Sequence, residues 1–347
     1  MMLEYYRDKK VFITGHTGFK GAWLTRILQL AGAAVTGYSL APLFGSAYGQ
    51  MVDDKNVLSY IADIRKINSL KRAFDFAAPD IVIHLAAQPL VFEAFERPVY
   101  TFDVNIQGTV NLLECIRQSE TVKSVIIVTT DKVYRNNEWC YGYREIDALG
   151  DVEPYAASKA CVEIIADSFY KTYLSSKDIA LSTVRAGNVI GGGDRSLNRI
   201  IPDCIKAAKK GEPIRVRNPY SVRPYQHVLE PLFAYLMIAQ RQAEDKQYAG
   251  SYNVGPDEKD CVTTAQLVNI FCSKWGCQKW IDENNQYELH ESGLLKLDCA
   301  KICATFNWYP KWNIEMAITK TISWEKHQDK HAITDMQIQE YGEKWIN

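Results

Sequence analysis

At 347 residues the chain can form one large domain or two modest ones, at about 150 residues per domain. Forty Lys plus Arg stand against 41 Asp plus Glu, and the formal charge of −1 excludes the basic excess of a nucleic-acid binder. Hydrophobic residues at 47% and charged residues at 23% are ordinary globular values that exclude disordered and fibrous classes.

The first ten residues, MMLEYYRDKK, carry no apolar run of the signal-peptide kind. No later segment reaches the roughly 20 uninterrupted apolar residues of a membrane helix. A cytoplasmic protein without membrane contact is expected. Residues 10–14, KVFIT, predict a short apolar strand. From Phe19 the apolar period turns helical, with Leu24, Ile27, Leu28 and Ala31 on one face and Gly32 placed to end the helix. Further strands are predicted at 34–40, 58–64, 80–86, 124–129 and 179–185, with helices at 67–77 and 104–118 among the intervening segments. Apolar strands separated by amphipathic helices specify a parallel sheet covered on both faces. The predicted fold is α/β, a Rossmann-like doubly wound parallel sheet with a smaller mixed α/β C-terminal substrate domain.

After Gly191-Gly-Gly-Asp194 the rhythm breaks. The expected division is a cofactor domain of 1–188 with a return segment at about 226–254, and a substrate domain of 189–225 and 255–347. Nine cysteines are scattered from Cys115 onward and read as reduced thiols. The close pairs Cys272/Cys277 and Cys299/Cys303 lack zinc-finger spacing, and the six histidines form no HExxH, so no metal site is expected.

Gly15-His-Thr-Gly18-Phe-Lys-Gly21 falls between the first strand and the first helix. Glycines belong there because the chain turns tightly and because backbone N–H groups must approach a pyrophosphate at the helix N-terminus. The GxxGxxG spacing resembles the extended branch of the short-chain dehydrogenase/reductase superfamily. That resemblance implies cofactor contacts from Gly15, Thr17, Gly18, Phe19, Lys20 and Gly21. It also implies contacts from Asp63 and Ile64 at the adenine, and from Leu85, Ala86 and Ala87 along the cleft. Asn105 matches a structural asparagine. The second strand ends Thr36-Gly-Tyr-Ser39-Leu-Ala-Pro, without an acid for the ribose 2′-hydroxyl, so Ser39 is the substitute partner. No arginine follows for a 2′-phosphate, and NAD is favoured over NADP.

Tyr155-Ala-Ala-Ser-Lys159 follows Pro154, which suits a first helical turn. At i and i+4 the two side chains share a face, and a nearby ammonium should lower the phenol toward neutrality. In the superfamily such a tyrosine is the base, and the lysine also holds the nicotinamide ribose. Thr130-Asp131-Lys132 follows the strand at 124–129, at the sheet edge where ligands bind. A simple dehydrogenase or 4-epimerase needs only the Thr or Ser. An acid and a base beside it imply the extra proton transfers of a 4,6-dehydratase.

Thr-Asp-Lys, rather than Thr-Asp-Glu, resembles the CDP-glucose 4,6-dehydratases. The likeness also runs through GHTGFKGAWL, TDKVY, EWCYGYRE, RAGNVIGGGD, RNPYSVRPYQHV and KLDCAK. It implies substrate contacts from Gln88, Asn188, Arg199, Arg217 and Arg223, with His227 structural. The implied cycle begins with Tyr155 taking the O4 proton as the C4 hydride moves to NAD. Lys132 then removes H5 while Asp131 protonates the departing C6 hydroxyl, and hydride returns to C6. The resemblance also implies a homodimer, or a tetramer, paired through helices near 101–118 and 156–172, serving deoxysugar biosynthesis for lipopolysaccharide O-antigen. A dehydratase or 4-epimerase for another nucleotide sugar, or an idle NAD-binding scaffold, remains the alternative.

Overall fold

Seven parallel strands organise the chain, of which the computed structural model describes residues 2–276, 280–283 and 293–344. They are β1 (Lys10–Thr14), β2 (Ala34–Ser39), β3 (Val57–Ile61), β4 (Ile81–His84), β5 (Ser124–Val128), β6 (Ala180–Ala186) and β7 (Ser251–Val254). Their order across the sheet is β7-β6-β5-β4-β1-β2-β3. The order reverses between β1 and β4, and that switch point is where open α/β sheets bind ligands.

Alternate side chains of each strand serve opposite faces. On one face Val11, Ile13, Ile126 and Val128 meet Trp23, Leu24 and Leu28 of α1 (Phe19–Leu30). On the other, Phe12, Val82, Val125 and Ile127 meet Leu70 and Phe74 of α2 (Ile67–Ala77) and Leu112 and Ile116 of α3 (Gly108–Arg117). Val162 and Ala166 of α4 (Pro154–Phe169) complete that layer. A separate buried cluster joins Ile201 and Ile205 of α5 (Ile200–Lys210) to Ile214 and Val216. The helix α6 (Leu229–Glu244) returns to the first face through Leu232, Phe233 and Leu236. Leu267 and Phe271 of α7 (Thr264–Trp275) and Ile318 of α8 (Ile314–Lys326) belong to the separate cluster. The last helix, α9 (Lys330–Glu343), packs back on the sheet layer, with Asp335 bonded to Arg26 at 2.6 Å and Tyr341 against Phe233.

The predicted strands all form, and α2 has its predicted bounds. Three details differ for local reasons. β3 stops at Ile61 because Asp63 accepts from the Arg65 N–H at 2.9 Å and turns the chain away. The helix expected from 104 begins at Pro98 and passes through a π turn at Asp103–Gln107 before α3. β7 lies inside the return segment, where no strand was predicted. Cys277 lies outside the described residues. Among those residues, no helix is long and apolar enough to cross a membrane.

The turn after β6 is closed by the Trp324 ring, and Trp23 Nε1 donates to the Gly192 carbonyl at 3.0 Å. A Cβ on Gly192 would lie 2.1 Å from ring carbons of Trp324. Gly192→Ala should therefore overpack this junction and cost about 1–3 kcal/mol, read as a lower urea midpoint with an unchanged slope.

Candidate active site

A cavity of about 1060 Å³ runs along the carboxyl ends of the strands. Every catalytic, cofactor and substrate residue expected from the sequence lines it, whereas Asn105 and His227 do not. Its cofactor end starts at β1. Gly15 has φ +77°, and a Cβ there would lie 2.7 Å from the Ala86 nitrogen. A Cβ on Gly21 would lie 2.0 Å from the Gly15 carbonyl oxygen, so the loop and helix close only with glycine at both points. Gly18 caps α1 without a side-chain bond, and the first-turn N–H groups therefore have no helical partner. That bare, positive helix end fits a pyrophosphate. Thr17 donates to the Leu40 carbonyl at 2.8 Å and lies 2.7 Å from Ser39 Oγ. Each hydroxyl has one hydrogen, so Ser39 donates to Thr17 and keeps an acceptor for a ribose hydroxyl. Residues 40–52 contain no Lys or Arg, and these features fit NAD.

Asp63 and Ile64 line the cavity as expected. Arg65, unforeseen, grips the Asp63 carboxylate at 2.5 Å and holds it below the usual carboxylate range. Leu85, Ala86 and Ala87 follow β4, whose buried His84 links Thr14 at 2.6 Å to Thr109 at 2.9 Å. Gln88 lines the cavity as well, and its side chain is engaged by the loop. Its amide donates to Leu90 O and Thr101 Oγ1 and accepts from the Leu90 N–H at 2.6 Å, fixing the loop. Asn105, in the π turn, accepts from the Gln88 N–H at 2.8 Å and donates to Ser158 at 2.8 Å, so it ties this loop to α4.

The catalytic centre sits where β5 meets α4. Pro154 opens α4, and Glu153 caps it by accepting from the Ala156 N–H. Burial pushes the Tyr155 phenol up to about 12, with hydrogen bonding by Thr130 and the charge of Arg199 pulling it back. This corrects the expectation that Lys159 brings it toward neutrality. Lys159 donates instead to the Val128 carbonyl at 3.1 Å, and burial lowers its own pKa to about 8. Desolvation of both groups outweighs their proximity.

Thr130 donates to Asp131 Oδ1 at 2.8 Å. Asp131 is 2% exposed, and its Oδ2 is buried without a partner. Burial raises its pKa against the opposing charges of Lys132, Arg223 and Lys20. Lys132 is half-buried beside it and lines the cavity. Lys20 lines the end expected to hold the cofactor, but its ammonium turns to the Tyr235 hydroxyl at 3.4 Å. Burial, followed by the like charges of Arg199 and Lys159, lowers it to about 7.

Behind these groups lies a network that the sequence reading did not single out. Glu163 Oε2 accepts from Arg185 at 2.9 Å and from Thr183 at 2.7 Å, and its Oε1 accepts from Thr129 at 2.5 Å. Arg185 also donates to the Tyr134 hydroxyl at 2.8 Å. The available signal was the spacing, since Glu163 lies four residues beyond Lys159 on the same helical face.

At the substrate end, Arg199 lies 3.6 Å from Asp194, and buried Arg223 donates to the Val222 carbonyl at 2.9 Å. Asn188 lines the wall. Arg217 donates to Asn198 Oδ1 at 3.2 Å and stacks on Phe92, 5.0 Å from its ring centre. His227 is structural, as expected: it is buried between Trp23 and Trp312, and burial lowers its pKa to about 3.

A ligand that uses both ends of this cavity must carry a pyrophosphate and reach Tyr155, which points to dinucleotide-dependent chemistry. The chain belongs to the NAD dependent epimerase/dehydratase family, whose model matches residues 11–255. It is 39% identical over 331 residues to the CDP-glucose 4,6-dehydratase of Salmonella typhimurium, covering 93% of this chain and 92% of that protein. With the dTDP-glucose 4,6-dehydratase of Shigella flexneri it shares 25% identity, covering 91% and 92%. The solved dTDP-glucose 4,6-dehydratase of Bacillus anthracis in complex with NAD superposes with a TM-score of 0.76 at 20% identity, covering 93% of this chain and 99% of that one. The UDP-glucose 4-epimerase of Thermotoga maritima, with UDP-glucose, gives 0.80 at 20% identity, covering 91% and 98%. At these identities the solved structures speak for the fold.

Glu163→Leu would leave the Arg185 guanidinium buried without its counter-charge. The expected cost is about 3–5 kcal/mol in equilibrium unfolding, well beyond that of an ordinary surface substitution.

Proposed function

We propose that this protein converts CDP-glucose to CDP-4-keto-6-deoxyglucose with NAD as its resident cofactor. The observation that carries this reading is Thr130-Asp131-Lys132 lining the same cavity as Tyr155 and Lys159. A 4-epimerase has no use for the added acid and base. The identity to the Salmonella typhimurium enzyme supports cytidine as the nucleoside.

NAD, when bound, accepts hydride from C4 and returns it to C6, so net redox is zero. Tyr155 removes the O4 proton in its phenolate form, which the Thr130 hydrogen bond and the Arg199 charge favour against burial, and Thr130 holds that oxygen. Lys159, with its pKa lowered to about 8, is poised to exchange a proton near neutral pH. The new ketone acidifies H5, which Lys132 accepts. Burial favours the protonated form of Asp131, as needed to give a proton to the departing C6 hydroxyl. Water leaves carrying the C6 oxygen and the proton from Asp131, and as hydride adds to C6 the proton held by Lys132 returns to C5. Arg199 and Arg223 bring positive charge to the diphosphate.

The substrate lobe at 189–225 and 255–347 is supported by the separate buried cluster, although α9 lies against the sheet layer. A cytoplasmic homodimer acting in deoxysugar biosynthesis completes the reading. Val99 and Ile164 support the dimer, being 81% and 62% exposed on helices that pack together.

Incubation with CDP-, UDP- and dTDP-glucose should give the 4-keto-6-deoxy product fastest from CDP-glucose. No such product from any of them overturns the reading. In heavy water the product should carry deuterium at C5. Lys132→Met should slow turnover by about 10²–10⁴-fold while NAD binding persists. Near wild-type turnover with normal C5 exchange would remove Lys132 as the base.

A further inference from the structure

Beyond the catalytic centre the cavity continues past Arg199. Arg199 lines the same cavity as Tyr155 and Lys20, with its guanidinium 3.6 Å from Asp194. Asp203 lies one turn further along α5, its backbone N–H donating to the Arg199 carbonyl at 3.0 Å. Its carboxylate is 3.6 Å from Arg217, too long for a full hydrogen bond. Arg217 is held in place from two sides. Asn198 accepts from both of its terminal nitrogens, at 3.2 and 3.1 Å, and the guanidinium carbon lies 5.0 Å from the Phe92 ring centre. Asp203, Arg217, Asn198 and Phe92 all line the cavity. An acceptor carboxylate and a donor guanidinium therefore stand side by side next to an aromatic ring, each fixed by a different segment.

A nucleotide sugar with glucose at Tyr155 and diphosphate at Arg199 carries its base toward this pair. Cytosine presents an amino donor at C4 beside the N3 and O2 acceptors, whereas uracil and thymine present an O4 acceptor beside an N3–H donor. We propose that Asp203 and Arg217 together read this edge and select cytosine. This inference rests on the dehydratase reading of the same site. Asp203 accepts from the C4 amino group, and Arg217 donates to the ring acceptors. For uracil or thymine, O4 would meet the carboxylate acceptor to acceptor, a repulsion that rejects the wrong base. Arg217 also counters the burial that raises the Asp203 carboxyl.

Asp203→Asn keeps the shape but offers an amide that can donate to O4. The kcat/KM preference for CDP-glucose over UDP-glucose should fall by about ten- to hundredfold, with the loss on KM more than on kcat. An unchanged ratio, or an equal loss on both substrates, overturns the proposal. Calorimetric binding of CDP and UDP gives a second reading that needs no turnover. Wild-type protein should favour CDP, and Asp203→Asn should erase the preference at unchanged thermal stability. If wild type dehydrates CDP-glucose while the variant keeps its preference for CDP, the base assignment falls and the dehydratase reading stands. If wild type dehydrates none of the sugars while the variant loses its preference for CDP, the base site stands and the dehydratase reading falls.

Discussion

The ion pair between Glu163 and Arg185 is the constraint on which the catalytic edge depends. Both side chains are almost sealed from water, at 2% and 3% exposure, and neither charge is tolerable there alone. Each partner is fixed to a different element. Glu163 is on α4, Arg185 is on β6, and the hydroxyl of Thr129 joins them from the end of β5. Thr130, Asp131 and Lys132 follow Thr129 directly, while Lys159 and Tyr155 lie one and two turns before Glu163 on the same helix. Holding α4 against the ends of β5 and β6 thus sets the spacing between the Thr130 hydroxyl, the Asp131 carboxyl and the Tyr155 phenol. Arg185 carries the constraint outward through Tyr134, which donates to Asn253 of β7 at 2.6 Å.

The dryness that makes this pair necessary also sets the chemistry. Burial raises Asp131 and Tyr155 and lowers Lys159 and Lys20, so each group leans toward its neutral form. A neutral carboxylic acid is the form that can protonate a leaving hydroxyl. Lysines with pKa values near 7 and 8 exchange protons at physiological pH.

Local chemistry that acts through the backbone could be read from the sequence. Gly15 and Gly21 are required by contacts of 2.7 and 2.0 Å that any Cβ would make, and their spacing betrays the turn. The alternating faces of β1 and β5 were plain because both faces are buried, leaving unbroken apolar runs. Partners distant in sequence were not readable. Gln88 does line the cleft, but the bonds of its amide to Thr101 and Leu90 could not be read from the sequence. Glu163 carried only its spacing from Lys159 as a signal, since nothing near it in the sequence announces Arg185. The lysine near Tyr155 suggested an acidified phenol, because spacing conveys proximity but not the desolvation that outweighs it.

One bound sugar passing through oxidation, elimination and reduction in a single cavity has an isotopic signature. With CDP-glucose deuterated at C4, the deuterium removed in the first step should reappear at C6 of the product, on the same molecule, when labelled and unlabelled substrate are mixed. Product bearing only protium at C6, or deuterium scrambled between molecules, would contradict a cycle completed on one sugar in this site.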